Sequence, residues 1–83
     1  MNILYTHRAA EELKSLSKPV QKRIVAKMRF FASQQNPLSF AKRLVDVREG
    51  QYRFRIGDYR VVFDVAKDNI YVLKIGKRSE VYK

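Results

Sequence analysis

Cysteine is absent from the 83-residue chain, and histidine occurs once, as His7. That excludes a disulfide framework, a thiolate nucleophile and a cysteine-based zinc site, and one imidazole cannot assemble a histidine metal site. No metal and no cofactor are expected. Long hydrophobic runs are also missing: the longest span a few residues, far below the roughly 20 needed to cross a bilayer, and the start of the chain around His7 and Arg8 lacks signal-peptide character. A cytoplasmic protein without a membrane partner is expected. Acidic side chains are scarce, with 8 Asp and Glu against 18 Lys and Arg and a formal net charge of +10. Such a body calls for a polyanionic partner, nucleic acid first. The length is itself a limit. A chain of this size forms one small domain that buries only about 60% of its unfolded surface, so any active site is an open groove or plate rather than a deep cavity.

What is present divides into two halves. Asn2-Ile3-Leu4-Tyr5 is a short β-favouring run ended by Thr6, a good N-cap ahead of Ala9, Ala10, Glu11 and Glu12. A strand therefore hands over to a helix near residue 7, and Ala9, Leu13 and Leu16 mark its apolar face, with an end expected near Leu16. Ser17-Lys18-Pro19 reads as a cap and an early-turn proline, after which Val20, Ile24, Met28 and Phe31 draw a second stripe that stops before Gln35-Asn36-Pro37. Residues 38–50 carry no period and read as a loop. From Tyr52 the pattern alternates strictly: Tyr52, Phe54 and Ile56 on one face, Arg53 and Arg55 on the other. Turns at Gly57-Asp58 and at Lys67-Asp68-Asn69 separate two further strands, 59–65 and 70–75. The expected fold is α+β: a two-layer sandwich in which the N-terminal strand and helix hairpin pack on an antiparallel β-meander.

A tight Gly57-Asp58 hairpin sets the register: Ile56 opposite Tyr59, Arg55 opposite Arg60, Arg53 opposite Val62. Like charges directly opposed on a sheet repel, so a face carrying Arg53, Arg55 and Arg60 is expected to hold something anionic. After the last strand, Gly76 frees the backbone to turn, which would let Lys77, Arg78 and Tyr82 reach the same face. Guanidinium groups gripping phosphates beside a ring that stacks on a base suit single-stranded nucleic acid.

These residues resemble a known family. Residues 51–63, Gln-Tyr-Arg-Phe-Arg-Ile-Gly-Asp-Tyr-Arg-Val-Val-Phe, and residues 72–82, Val-Leu-Lys-Ile-Gly-Lys-Arg-Ser-Glu-Val-Tyr, are similar to the C-terminal half of the RelE toxins of the RelE/ParE superfamily. The order of elements extends the likeness over nearly the whole chain, so residues 1–83 are read as one RelE-like domain. The resemblance implies the toxin of a type II toxin-antitoxin system, a metal-independent, ribosome-dependent endoribonuclease that cleaves mRNA in the A site. It implies mRNA, ribosomal RNA and a cognate antitoxin as partners, the antitoxin acidic where it covers the arginine face. It places Arg55, Arg60, Arg78 and the base-stacking Tyr82 at catalytic positions, and Arg53 and Lys77 as RNA contacts. Arg53 and Arg55 stand where the best-known member has lysines. Guanidinium stays protonated, so these residues suit charge stabilisation rather than proton transfer. Two other readings stay open: a ParE-type gyrase poison on the same fold, and a non-enzymatic nucleic-acid-binding module.

Overall fold

The computed structural model describes residues 1–78. Strand β1 (Asn2–Tyr5) leads into helix α1 (His7–Lys14), where the Thr6 hydroxyl accepts a hydrogen bond from the Ala9 amide at 3.1 Å, the expected N-cap. Helix α1 stops at Lys14, two residues before the stripe suggested. The cause lies in the next helix, α2 (Lys18–Ser33): its Gln21 side chain donates to the carbonyls of Lys14 at 3.2 Å and Leu16 at 2.7 Å, satisfying groups that a longer helix would have paired internally. A 3-10 helix (Pro37–Phe40) and a two-residue strand β2 (Lys42–Arg43) follow, then β3 (Tyr52–Ile56), β4 (Tyr59–Ala66) and β5 (Asn69–Lys77).

The sheet has five strands in the order β1-β5-β4-β3-β2. The meander is antiparallel, whereas β1 lies parallel against β5 with Tyr5 opposite Val72, a pairing that needs a long connection and here has both helices and strands β2 to β4 between its partners. Both helices cover one face. Ala9 of α1 and Ile24, Met28 and Phe31 of α2 meet Phe54, Ile56, Val61, Phe63, Ile70, Val72 and Ile75 in one apolar core. Within it Phe54 stacks between Phe31 at 4.3 Å and Phe63 at 4.4 Å between ring centroids. The strand parity read from the alternation is the parity observed.

The stretch read as a featureless loop is more ordered than its sequence suggested. The loop 44–51 folds over the face of the sheet that the helices leave open, and it is held there by contacts distant in sequence. Asp64 accepts the Gln51 amide at 2.8 Å while the Gln51 side chain accepts the Val65 amide at 2.8 Å. Gly50, at φ +146, lies so close to Val62 that a Cβ there would stand 2.6 Å from a Val62 methyl. Val62 is accordingly buried although it faces away from the helices.

Candidate nucleic-acid interface

The hairpin register is the one the turn predicted: Ile56 opposite Tyr59, Arg55 opposite Arg60, Arg53 opposite Val62. Gly57 takes φ +59 at the first central position, where a two-residue hairpin loop favours glycine. Paired residues share a face, so the open face carries two successive rungs. One runs Lys42, Arg53, Val62, Lys74; the next runs Arg55, Arg60, Gly76.

Arg55 is exposed and Arg53 half-buried. Arg60, expected to be as open as Arg55, is buried with 6% of its surface accessible. Its neighbour on β5 is Gly76, which has no side chain, so the arginine stem can lie flat against the sheet instead of standing off it. Arg78 is exposed, and its amide donates to the Asp58 carbonyl at 2.9 Å. That bond fixes Arg78 beside the Gly57-Asp58 turn, at the end of the sheet where Arg55 and Arg60 lie.

Lys77 departs from expectation. Strand β5 does not turn at Gly76 but continues to Lys77, which pairs with Tyr59. Tyr59 packs toward the core, so Lys77 is on the helix side of the sheet at its rim and not on the arginine face. Tyr82 lies outside the described residues.

Two lysines join the face that sequence reasoning did not single out. Lys74 occupies the rung of Arg53: two residues from buried Val72, plain alternation assigns it to the helix side, and the bulge opposite Val62 and Phe63 is what brings it to the open face. Lys42 had no signal at all, because a strand of two residues has no period. The face is not purely basic either: Glu49 comes in on the loop and accepts from Lys74 Nζ at 2.7 Å. At the sheet edge the Arg43 guanidinium lies 6.0 Å from the centre of the Tyr52 ring.

Elsewhere, burial pushes the Tyr5 phenol above its ordinary value, partly offset by the Arg29 guanidinium. A shallow groove along α2, lined by Lys18, Gln21, Lys22, Val25, Ala26 and Arg29, shares no residue with the arginine face. Among the described residues no helix is long and apolar enough to cross a membrane.

Two helices thus cover one side of a mixed sheet, and cationic rungs line the other. The family model for the ParE toxin of type II toxin-antitoxin systems matches residues 3–82, and the chain belongs to that family. It is a toxin of the type II class. The crystal structure of the toxin-antitoxin complex RelBE2 from Mycobacterium tuberculosis contains a chain of the same fold, with a TM-score of 0.75 and 22% identity over 93% of this chain and 96% of that one. No curated protein matches the sequence.

Proposed function

We propose that this toxin is a ribosome-dependent endoribonuclease that cuts mRNA in the A site. The observation that carries the reading is the arrangement of Arg55 and Arg60 on one rung with Arg78 tied beside the same hairpin end. Metal-independent RNA cleavage uses the neighbouring 2′-hydroxyl: its oxygen gives up its proton to solvent and attacks phosphorus, negative charge accumulates on the phosphoryl oxygens, and the P–O5′ bond breaks as the 5′-oxygen takes a proton from solvent, leaving a 2′,3′-cyclic phosphate. Three guanidinium groups at one sheet end suit that developing charge, and rigid strands hold two of them before substrate arrives. Arginine stays protonated, so they supply charge stabilisation and none of them is assigned a proton transfer. Arg53, with Lys42 one strand over, extends the cationic track along which the strand of mRNA would run. Tyr82 would supply the ring that stacks on a base, and Lys77, from the rim, a flanking contact.

The same reading gives the toxin a cognate antitoxin, as the RelBE2 chain has in its complex, with acidic side chains where it crosses the arginine face. It also places the action in the cytoplasm, where ribosomes translate.

A second reading, poisoning of gyrase, draws on the ParE description of the matching family model. Purified protein added to programmed ribosomes, with products mapped by primer extension, is expected to give new ends inside the A-site codon. A parallel gyrase supercoiling assay is expected to be unaffected. Gyrase inhibition with intact ribosome-bound mRNA would replace the first reading by the second.

A further inference from the structure

The loop 44–51 is fastened firmly at its root and lightly along its length. Its ends meet where the Leu44 amide donates to the Gln51 carbonyl at 2.9 Å, and Gly50 fits against Val62 and Leu73, whose side chains a Cβ there would meet at 2.6 and 3.2 Å. Farther out, Val45 is 100% and Val47 71% exposed, so the tip takes no apolar hold on the sheet. The acids of the loop divide. Asp46 is bound within it, its two carboxylate oxygens 3.1 and 3.2 Å from the Arg48 guanidinium. Glu49 instead reaches across to the sheet and accepts from Lys74 Nζ at 2.7 Å, with Lys74 19% and Glu49 45% exposed. Lys74 is on this face because the β4–β5 bulge turns it there, and bulges beside functional sites serve to re-aim a side chain. It thereby joins the rung of Lys42 and Arg53, next to the rung of Arg55 and Arg60. An ammonium turned onto a cationic face and capped by a carboxylate from a distant segment is an anion site with an internal occupant.

We propose that Lys74 is a phosphodiester subsite of the RNA track, and that Glu49 occupies it in the free toxin as a brake that the incoming strand displaces. The proposal rests on the RNA-cleavage reading and adds to it a subsite and a control on access to that subsite. A carboxylate and a phosphodiester are both monoanions that offer oxygens to an ammonium, so they compete for the same three donors. Lysine holds either one as a point charge, which makes the exchange easy; a bidentate arginine would grip the carboxylate more firmly. The pair is partly open to water and therefore weak, and with the root fixed at Gly50 the Glu49 side chain can swing aside while the loop stays in place. A strand whose other phosphates lie on Arg53, Arg55 and Arg60 presents its next phosphate to Lys74 at high effective concentration and outcompetes Glu49. A single phosphate has no such help. The brake thus favours a polynucleotide strand over isolated anions.

The test measures binding of a fluorescent poly-uridine oligonucleotide to the intact toxin at one low salt concentration, with each variant shown by thermal melting to be folded. Glu49→Gln, which keeps the shape and removes the charge, is expected to bind at least threefold more tightly. Asp46→Asn, the same change of charge on the same loop, is expected to stay within twofold of wild type. In a Lys74→Gln background, Glu49→Gln is expected to gain less than twofold, because no ammonium remains to be uncovered. A gain below twofold for Glu49→Gln, an equal gain from Asp46→Asn, or a full gain that persists without Lys74 each overturns the proposal. Weaker binding by Glu49→Gln overturns it too, since the pair would then be arranging the face rather than restraining it. A gain seen with a poly-thymidine DNA strand and not with poly-uridine would take the subsite away from RNA. If neither wild type nor Glu49→Gln binds RNA, the RNA reading itself falls; RNA binding indifferent to Glu49 removes the brake alone.

Discussion

Phe54 shows how much one residue type at one strand position decides. It is fully buried and stacked between two phenylalanines, so its truncation removes dispersion contacts on both ring faces and leaves a cavity that a stiff sheet cannot collapse. Phe54→Ala is expected to lower stability by roughly 3 to 5 kcal/mol in denaturant unfolding; a loss below about 1 kcal/mol would contradict the core described above. Tyr5 makes a different prediction. Its folded-state ionisation lies above the ordinary value of 10.0, so as pH rises past that value the unfolded chain releases its proton first and holds fewer protons than the folded one. Stability contributed by the neutral buried phenol is present below that pH and lost above it. Unfolding curves from about pH 10 upward are expected to be flatter for Tyr5→Phe than for wild type. Identical slopes would mean that Tyr5 is not desolvated. Gly57→Ala combines a positive φ with contact against Arg23; the guanidinium can move aside, so backbone strain of about 1 to 2 kcal/mol dominates the expected destabilisation, read from the same unfolding curves.

At the scale of elements, what was legible had a period or a cap. Tyr52 to Ile56 alternates because one face of β3 meets helices and the other does not, and Thr6 announces α1 because its hydroxyl has an amide to satisfy. The face held by Arg53, Arg55 and Arg60 followed from that alternation and a glycine turn. The loop 44–51 was not legible because its position is set by partners 13 to 25 residues away: Asp64 for Gln51, Lys74 for Glu49. No local pattern encodes such contacts. The burial of Arg60 was hidden for the same reason, since its neighbour Gly76 is 16 residues on and across a strand boundary. Lys77 was misplaced because a glycine was read as a turn where it is instead a gap in a continuing strand. The loop yields its own prediction. Asp64→Ala is expected to cost about 1 kcal/mol and to speed hydrogen exchange at the Gln51 amide, as a lost hydrogen bond at a partly exposed site would. Unchanged exchange there would show that the loop is anchored by something else.

For the whole molecule the decisive property is that the arginine rungs and the apolar core are on opposite sides of one sheet. The helix side supplies the stability, which leaves the other side free to gather cations; Glu49 pairs with Lys74 there, and the positive excess of the face favours an anionic partner. Binding to single-stranded RNA is therefore expected to weaken steeply with salt, and Arg55→Ala to reduce the slope of log affinity against log salt by about 0.7, one phosphate contact. Binding alone would not make a nuclease. The most direct measurement is the single-turnover cleavage rate on programmed ribosomes at saturating toxin, for wild type, Arg55→Ala, Arg60→Ala and Arg78→Ala, each shown by thermal melting to be folded. Stabilisation of charge that exists only in the transition state predicts rates lower by roughly 100-fold or more with ribosome affinity little changed. Wild-type single-turnover rates in all three folded variants, with only weaker binding, would contradict it.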